Sequence, residues 1–279
     1  MLIHVSQVDN AKALLQQIIE DPHDITSRRV YADLMVESRN PIGRFIHLQC
    51  DLEGLGPYDQ DRESIEAEVE KLLKKYRTSW GKALKQLATA VTFRRGFAES
   101  VSIKAERLLE VAPDLFRMAP IRSVKLCGDR AALSLVNDCS QLRTVEELSL
   151  SSMRLGSSYG LPLFSGTALR NVRSLNLGHN AMGVLGITPL LECPHLDVLE
   201  SLNLDDNRLG TPGLAALAES DLLCQLRSLS LDSSRVTADG MVAVGNGNRL
   251  QNLTSLRAER SGLSDTGVRA LARSDGFRP

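Results

Sequence analysis

The sequence predicts an α/β solenoid, in which a curved parallel sheet carries outer helices and an N-terminal α-helical domain caps one end. The first observation is a period of 27 residues in the C-terminal half, because periods of this length mark stacked structural repeats. The second is a short apolar alternation that opens each period, which is typical of a strand with one buried face. The third is that the first 90 residues lack the period and have helical spacing of apolar residues.

Five copies of the period account for the segment 142–279. Leucine or valine recurs at three phases of each copy, as in the column Leu148, Leu175, Leu202, Leu229 and Leu256. A helix is expected after each strand, since a glycine recurs at one phase and a hydroxyl residue precedes it. The expected capping residues are Thr211, Thr237 and Ser264.

The segment 91–141 is predicted to hold degenerate strand and helix units that join the repeats to the cap. Strands are expected at 97–103 and 121–128, with a helix at 105–118 between them. The basic and aromatic run 92–97 is too short for nucleic-acid binding and is expected to form the turn into the first strand.

The segment 1–90 is predicted to be the helical capping domain. Pro22 and Pro41 act as helix breakers, and Thr26 or Ser27 is expected to cap the second helix. A solenoid needs such a cap because its first hydrophobic cross-section must be covered. The predicted helices span 11–21, 27–38, 42–55 and 62–80.

The strand pattern L-x-x-L-x-L-x-x-N-x-L occurs at 172–182 (VRSLNLGHNAM) and 199–209 (LESLNLDDNRL). This pattern resembles the leucine-rich repeat, and specifically the longer subtype found in ribonuclease inhibitor. The resemblance implies that Asn180 and Asn207 hydrogen-bond to backbone groups in the turn, which is a scaffold role. The same slot holds Met153, Ser234 and Ser261 in the other repeats.

The N-terminal motifs LLQQIIEDPHD, RRVYADLMVE, PIGRFIHLQCDLE and FRRGF resemble the bacterial repeat-companion domain, a helical module that precedes leucine-rich repeats in bacterial proteins. Leu34 stands where that family usually carries tryptophan. No enzymatic activity follows from the resemblance. Tyr31, Asp33, Arg44 and Gln49 are polar members of these motifs, and Asp33 and Arg44 are expected to form an ion pair that fixes helix geometry rather than a catalytic site.

Composition and motifs argue against several function classes. The net charge of −1 and the aromatic content of 4% do not favour nucleic acid or an anionic membrane as partner. The five cysteines form no CxxC pair, and the five histidines show no ligand spacing, so no metal is expected. No phosphate loop or nucleophile elbow is present, so no catalytic residue and no cofactor are predicted. With no leader sequence evident at the N-terminus, a cytoplasmic protein is expected.

The predicted binding surface is the concave face of the sheet, formed by the residues between the inward leucines. Side chains just past each strand, in the column that contains His179, Asp206 and Arg260, are placed at its edge. Asn203→Arg combined with Asp232→Arg is expected to abolish binding and keep the fold intact. The full set is Glu147, Ser149, Ser174, Asn176, His179, Ser201, Asn203, Asp205, Asp206, Ser230, Asp232, Arg257, Glu259 and Arg260.

These patterns favour a non-catalytic adaptor or scaffold that binds a protein or peptide partner. One alternative is an inhibitor or immunity-type protein that occludes an enzyme, by analogy with ribonuclease inhibitor. A less favoured alternative is a GTPase activator resembling the leucine-rich-repeat activator of Ran. The sequence leaves the identity of the partner and the oligomeric state open.

Overall fold

The computed structural model describes residues 2–157, 163–247, 249–262 and 264–273, with side chains from residue 8 onward. It divides into two compact units. The N-terminal unit comprises 1–102 and 111–122, and the repeat unit comprises 103–110 and 123–279. The result is a mixed α/β fold in which the strands follow one another in sequence order.

Helices dominate the N-terminal unit, and the predicted helix at 62–80 is confirmed. Asp24, rather than Thr26 or Ser27, caps the second helix, since its carboxylate accepts hydrogen bonds from the backbone N–H groups of Thr26 (2.8 Å) and Ser27 (3.2 Å). Asn40 caps the third helix in the same way. The helices are α1 (Leu2–Glu20), α2 (Ile25–Glu37), α3 (Pro41–Gly54), α4 (Arg62–Trp80) and α5 (Leu108–Met118).

A β-hairpin lies between α4 and α5. Strand β1 (Ala90–Arg94) pairs antiparallel with β2 (Phe97–Lys104). Arg95 and Gly96 form the tight turn with φ of 47° and 87°, the signs that a two-residue hairpin requires. The prediction that 92–97 is only a turn was therefore wrong. Its first three residues belong to β1, a strand that was not predicted.

The repeat unit contains parallel strands in exact repeat register. Each pairs with the next, so that Leu148, Leu175, Leu202, Leu229 and Leu256 form one column. All are buried except Leu256, which is half-buried. The strands are β3 (Ser123–Cys127), β4 (Glu147–Ser149), β5 (Ser174–Asn176), β6 (Ser201–Asn203), β7 (Ser228–Ser230) and β8 (Ser255–Arg257).

Helices follow β5 to β8, as predicted: α6 (Gly183–Leu191), α7 (Gly210–Glu219), α8 (Leu222–Gln225), α9 (Ala238–Asn246) and α10 (Asp265–Arg273). Thr237 caps α9, since its hydroxyl accepts from the Gly240 N–H at 3.1 Å. Thr211 does not cap α7; it lies inside that helix and its hydroxyl contacts that of Thr237 at 2.7 Å. Ser264 lies directly before α10, as expected. The helix expected in repeat 142–168 falls partly on 158–162, outside the described residues.

Candidate protein-binding surface

Two columns of polar side chains lie between the buried leucines of the strands, and we call them the polar face. Strand register sets them in line, because one residue of each strand pairs with the equivalent residue of the next. Most members are half-buried, whereas Ser255 and Arg257 are exposed. The first column is Glu147, Ser174, Ser201, Ser228 and Ser255; the second is Ser149, Asn176, Asn203, Ser230 and Arg257.

The Asp205 carboxylate connects its own repeat to the next one. Its Oδ1 accepts hydrogen bonds from the Asp232 backbone N–H at 2.8 Å and from the Ser230 hydroxyl at 2.6 Å. Its Oδ2 accepts from the Asn203 side-chain amide at 2.7 Å. Ser230 is only 9% exposed, so the prediction that it lies open to a partner was wrong. Its hydroxyl already donates its hydrogen bond to the Asp205 carboxylate.

Asp232 has the equivalent contacts in the next repeat. Its Oδ1 accepts from the Glu259 backbone N–H at 2.6 Å, and its Oδ2 pairs with the Arg257 guanidinium at 2.8 Å. Its side chain is 16% exposed. Asp232→Arg would remove both bonds and place a cation beside Arg257. The expectation that Asn203→Arg with Asp232→Arg spares the fold is incompatible with these contacts.

The asparagine slot has the scaffold role that was predicted. Asn207 is fully buried; its side-chain amide donates to the Leu177 carbonyl at 2.9 Å, and its Oδ1 accepts from the Met182 N–H at 3.2 Å. Asn180, 1% exposed, donates to the Leu150 carbonyl at 2.9 Å. Ser234 fills the slot in the next repeat and its hydroxyl donates to the Leu204 carbonyl at 2.5 Å. These side chains satisfy turn backbone and are unavailable to a partner.

The column at the strand exits is set by a backbone turn. Four residues in this column adopt left-handed conformations with φ between 49° and 60°: His179, Asp206, Ser233 and Arg260. The His179 N–H donates to the Asp205 carbonyl at 2.7 Å, and the equivalent bond recurs in the next two repeats. His179 and Asp206 also contact each other through their exposed side chains at 3.3 Å.

A shallow cleft opens at these strand exits. Its volume is about 480 Å³, and it carries both signs of charge. Because the carboxylates of Asp205 and Asp232 are already hydrogen-bonded to backbone, the groups it presents to solvent are the exposed side chains around them. Eight residues line the cleft: His179, Asp205, Asp206, Asp232, Ser233, Arg257, Glu259 and Arg260.

The polar motif residues of the N-terminal unit form pairs between helices, but the expected pair of Asp33 with Arg44 does not form. Arg44 instead binds Glu68 of α4 through two hydrogen bonds of 3.0 and 2.9 Å, and it lowers the pKa of that carboxyl. Asp33 contacts His47 at 2.9 Å. Gln49 accepts from the Gly96 N–H at 2.7 Å, which ties α3 to the hairpin turn. Asp33, Arg44 and Gln49 therefore each have a polar partner on another element, and the Tyr31 ring packs against Phe97 of β2.

Sequence reasoning missed a buried charged cluster in this unit. Glu99 of β2, 3% exposed, pairs with Arg28 of α2 and with Arg95 of the hairpin turn, each at 2.7 Å. Arg28 is fully buried and also donates to the Arg95 carbonyl at 3.0 Å. Burial lowers the pKa of Arg28, and the Glu99 carboxylate opposes that effect. Arg28 and Arg95 belong to two separate sequence motifs, and Glu99 lies in a predicted strand. Nothing in the spacing of these residues indicates that they form ion pairs.

Three of the five cysteines lie in surroundings that oppose ionisation of the thiol. Burial raises the pKa of the thiols of Cys50, Cys139 and Cys193, so these thiols stay protonated at neutral pH. Among the described residues, no group of three or more His, Cys, Asp or Glu side chains is arranged to hold a metal ion. No helix within the described ranges has both the length and the apolar character needed to cross a bilayer.

The leucine-rich-repeat family model matches two segments, 168–191 and 195–218. The first contains β5 and α6, and the second contains β6 and most of α7. The chain therefore carries leucine-rich repeats at the centre of the repeat unit. Such repeats generally mediate protein–protein interaction, which is consistent with a binding role. No curated protein matches the sequence.

Proposed function

We propose that this protein is a non-catalytic adaptor or scaffold that binds a protein or peptide partner through the polar face. The observation that carries the proposal is the in-register alignment of two columns of polar side chains, mostly serine and asparagine, over five consecutive strands. Repeats that stack in this way offer an extended surface to which many strands contribute. The partner contacts the polar face and the cleft at its edge.

The finer architecture is also part of the proposal. We place the strands β3 to β8 in a curved solenoid with the polar face on its concave side, of the ribonuclease-inhibitor-like subtype. The helices α1 to α4 serve as its cap, and the resemblance of their motifs to the repeat-companion domain favours a bacterial protein. Support comes from the 27-residue period and from the helix after each of the strands β5 to β8.

The accessible part of the surface is smaller than the sequence alone indicates. Ser174, Ser201 and Ser228 are half-buried, and within the described residues their hydroxyls make no side-chain hydrogen bond, so they can bond to a partner. Arg257 and Glu259 add exposed charge at one end. Asp205 and Asp232 hold the face in shape and contribute charge without being free to move.

The test uses two variants that each add two positive charges. Ser201→Arg with Ser228→Arg places long cations on the polar face without breaking a side-chain hydrogen bond. Asn246→Arg with Ala272→Arg places the same charge on exposed residues of α9 and α10. Each protein and the wild type are used to capture partners from extract, and the affinity of the recovered partner is then measured with purified components.

The proposal expects that the control variant binds the purified partner as the wild type does and that the polar-face variant does not. Equal binding by both variants would refute recognition through this face. The partner's identity separates the alternatives: an enzyme whose active site is blocked indicates an inhibitor, and a GTPase whose hydrolysis accelerates indicates an activator.

A further inference from the structure

A second left-handed position follows the strand-exit column in four of the repeats. It is occupied by Arg154, Ala181, Arg208 and Arg235, with φ of 55°, 52°, 55° and 56°. A side chain with a Cβ adopts this conformation only at an energetic cost, whereas glycine adopts it freely and asparagine tolerates it. The backbone therefore gives no reason for arginine at three of these four positions. An unfavourable residue that recurs at one position of a turn is a candidate for function.

Repeat stacking sets the three arginines in a line, which we call the arginine row. The turn that carries them is bonded from repeat to repeat: the N–H groups of Gly156, Gly183 and Gly210 donate to Asn180, Asn207 and Ser234 at 2.9, 2.8 and 3.3 Å. Neighbouring repeats are thus spaced by about 5 Å, as the strands of a sheet are. Arg208 and Arg235 are adjacent, and Arg154 lies two repeats from Arg208.

The charges in the row are not neutralised by the protein. All three side chains are exposed, and none has a carboxylate within ion-pair distance among the described residues. Elsewhere in the same unit Arg173 pairs with Glu200 at 2.6 Å and Arg257 pairs with Asp232 at 2.8 Å. Like charges fixed in a line repel one another, and a partner with negative charge relieves that repulsion.

We propose that the arginine row is a second binding surface, distinct from the polar face, and that its partner is an acidic segment of a protein. Guanidinium groups bind carboxylates through paired hydrogen bonds. Single-stranded nucleic acid fits less well, because its binding sites combine positive charge with exposed aromatic side chains. Within the described residues of 123–273 the aromatic side chain is Phe164, which is 2% exposed. Ala181 leaves a gap in the row.

The experiment measures fluorescence anisotropy of a labelled peptide of alternating Glu and Ser, and of a labelled oligo(dT) of equal length, at low and raised salt. Arg208→Gly with Arg235→Gly removes two charges and relieves the left-handed backbone, so folding is preserved. Arg170→Gln with Arg227→Gln removes the same charge from exposed residues outside the row. Ala181→Arg fills the gap. Melting temperatures check each fold.

The row variant is expected to bind the acidic peptide about tenfold more weakly than the wild type, as the loss of two exposed ion pairs implies. The control should bind like the wild type, and Ala181→Arg should bind more tightly. Two results would overturn the proposal. The first is equal peptide binding by the row variant and the control. The second is that the wild type binds oligo(dT) more tightly than the peptide and the row variant loses that oligo(dT) binding, which would assign the row to nucleic acid. Neither depends on the polar face.

Discussion

The two units of this protein bury polar groups in different ways. The repeat unit uses small neutral side chains. Asn180 and Asn207 bond to the backbone of their own and the preceding turn, and Ser234 bonds to that of the preceding turn. The N-terminal unit uses one cluster of full charges, in which a single carboxylate, Glu99, serves both Arg28 and Arg95. In the repeat unit the buried hydrogen bonds are divided among the repeats. In the N-terminal unit the pairing of the buried charges depends on one residue.

The difference has an energetic consequence. A neutral group that loses its partner costs its own desolvation, roughly 1–3 kcal/mol. A buried ion that loses its partner costs more, about 3–5 kcal/mol, because an uncompensated charge remains in the interior. The repeat unit should therefore tolerate the loss of one slot, as it already tolerates serine in place of asparagine. The N-terminal unit should not tolerate the loss of Glu99.

The largest effect is expected from Glu99→Gln. This change keeps the shape of the side chain but leaves Arg28 and Arg95 without a counter-charge, so it should lower the free energy of unfolding by about 3–5 kcal/mol in urea titrations. Glu68→Gln, which breaks the exposed pair with Arg44, is the control and should cost less than about 1 kcal/mol. Similar losses in the two variants would contradict the role assigned to burial.

Leu202→Ala ranks next. The side chain is fully buried at the centre of the leucine column, so its truncation should cost about 2–5 kcal/mol in the same assay. Leu256→Ala removes the equivalent atoms from the half-buried last position and should cost clearly less. A larger loss at Leu256 than at Leu202 would show that the order of burial in the column is wrong.

A smaller loss, about 1–3 kcal/mol, is expected from Asn207→Ala, since the Met182 N–H loses its partner and the Leu177 carbonyl keeps only the bond from the Asn180 amide. Asn207→Ser imitates the residue found at 234 and should recover part of this loss. No recovery by serine would mean that repeats cannot exchange the two residues, contrary to the tolerance inferred above.

The smallest effect is a pH dependence of the pair between Arg44 and Glu68. Hydrogen bonds from Arg44 hold the pKa of Glu68 below its ordinary value. Stability from this pair is therefore present above the unfolded-state pKa and is lost as the pH falls through the lowered folded-state pKa. The melting temperature of wild type minus that of Glu68→Gln should shrink on acidification through this window. A difference that grows there would contradict the sign.

Much of the repeat unit was predictable from the sequence. The leucine phases fix which face of each strand is buried, and the structure places β4 to β8 at the predicted positions. The asparagine slot followed from its resemblance to leucine-rich repeats. Two matched segments, 168–191 and 195–218, support that resemblance. A strict period makes each inference repeatable, so that errors at one copy are corrected by the others.

Other features could not be predicted, because alternation gives the face of a side chain but not its partner. Asp205 and Asp232 were expected to be open, yet each accepts the backbone N–H of the next repeat. Asp33 and Arg44 were expected to pair, yet Asp33 contacts His47 on the same helix as Arg44, and Arg44 binds Glu68 of α4. The cluster around Glu99 joins residues about 70 positions apart along the chain, 28 to 99, and no local pattern reports such a contact.

Hydrogen exchange followed by mass spectrometry on wild type, Glu99→Gln and Asn207→Ala tests the contrast between the units most directly. The account predicts that Glu99→Gln raises exchange across α2 and β2 together, whereas Asn207→Ala raises it only near 177–183 and 205–210. Deprotection of all the strands β3 to β8 by Asn207→Ala, or a change confined to residues beside position 99 in the other variant, would contradict it.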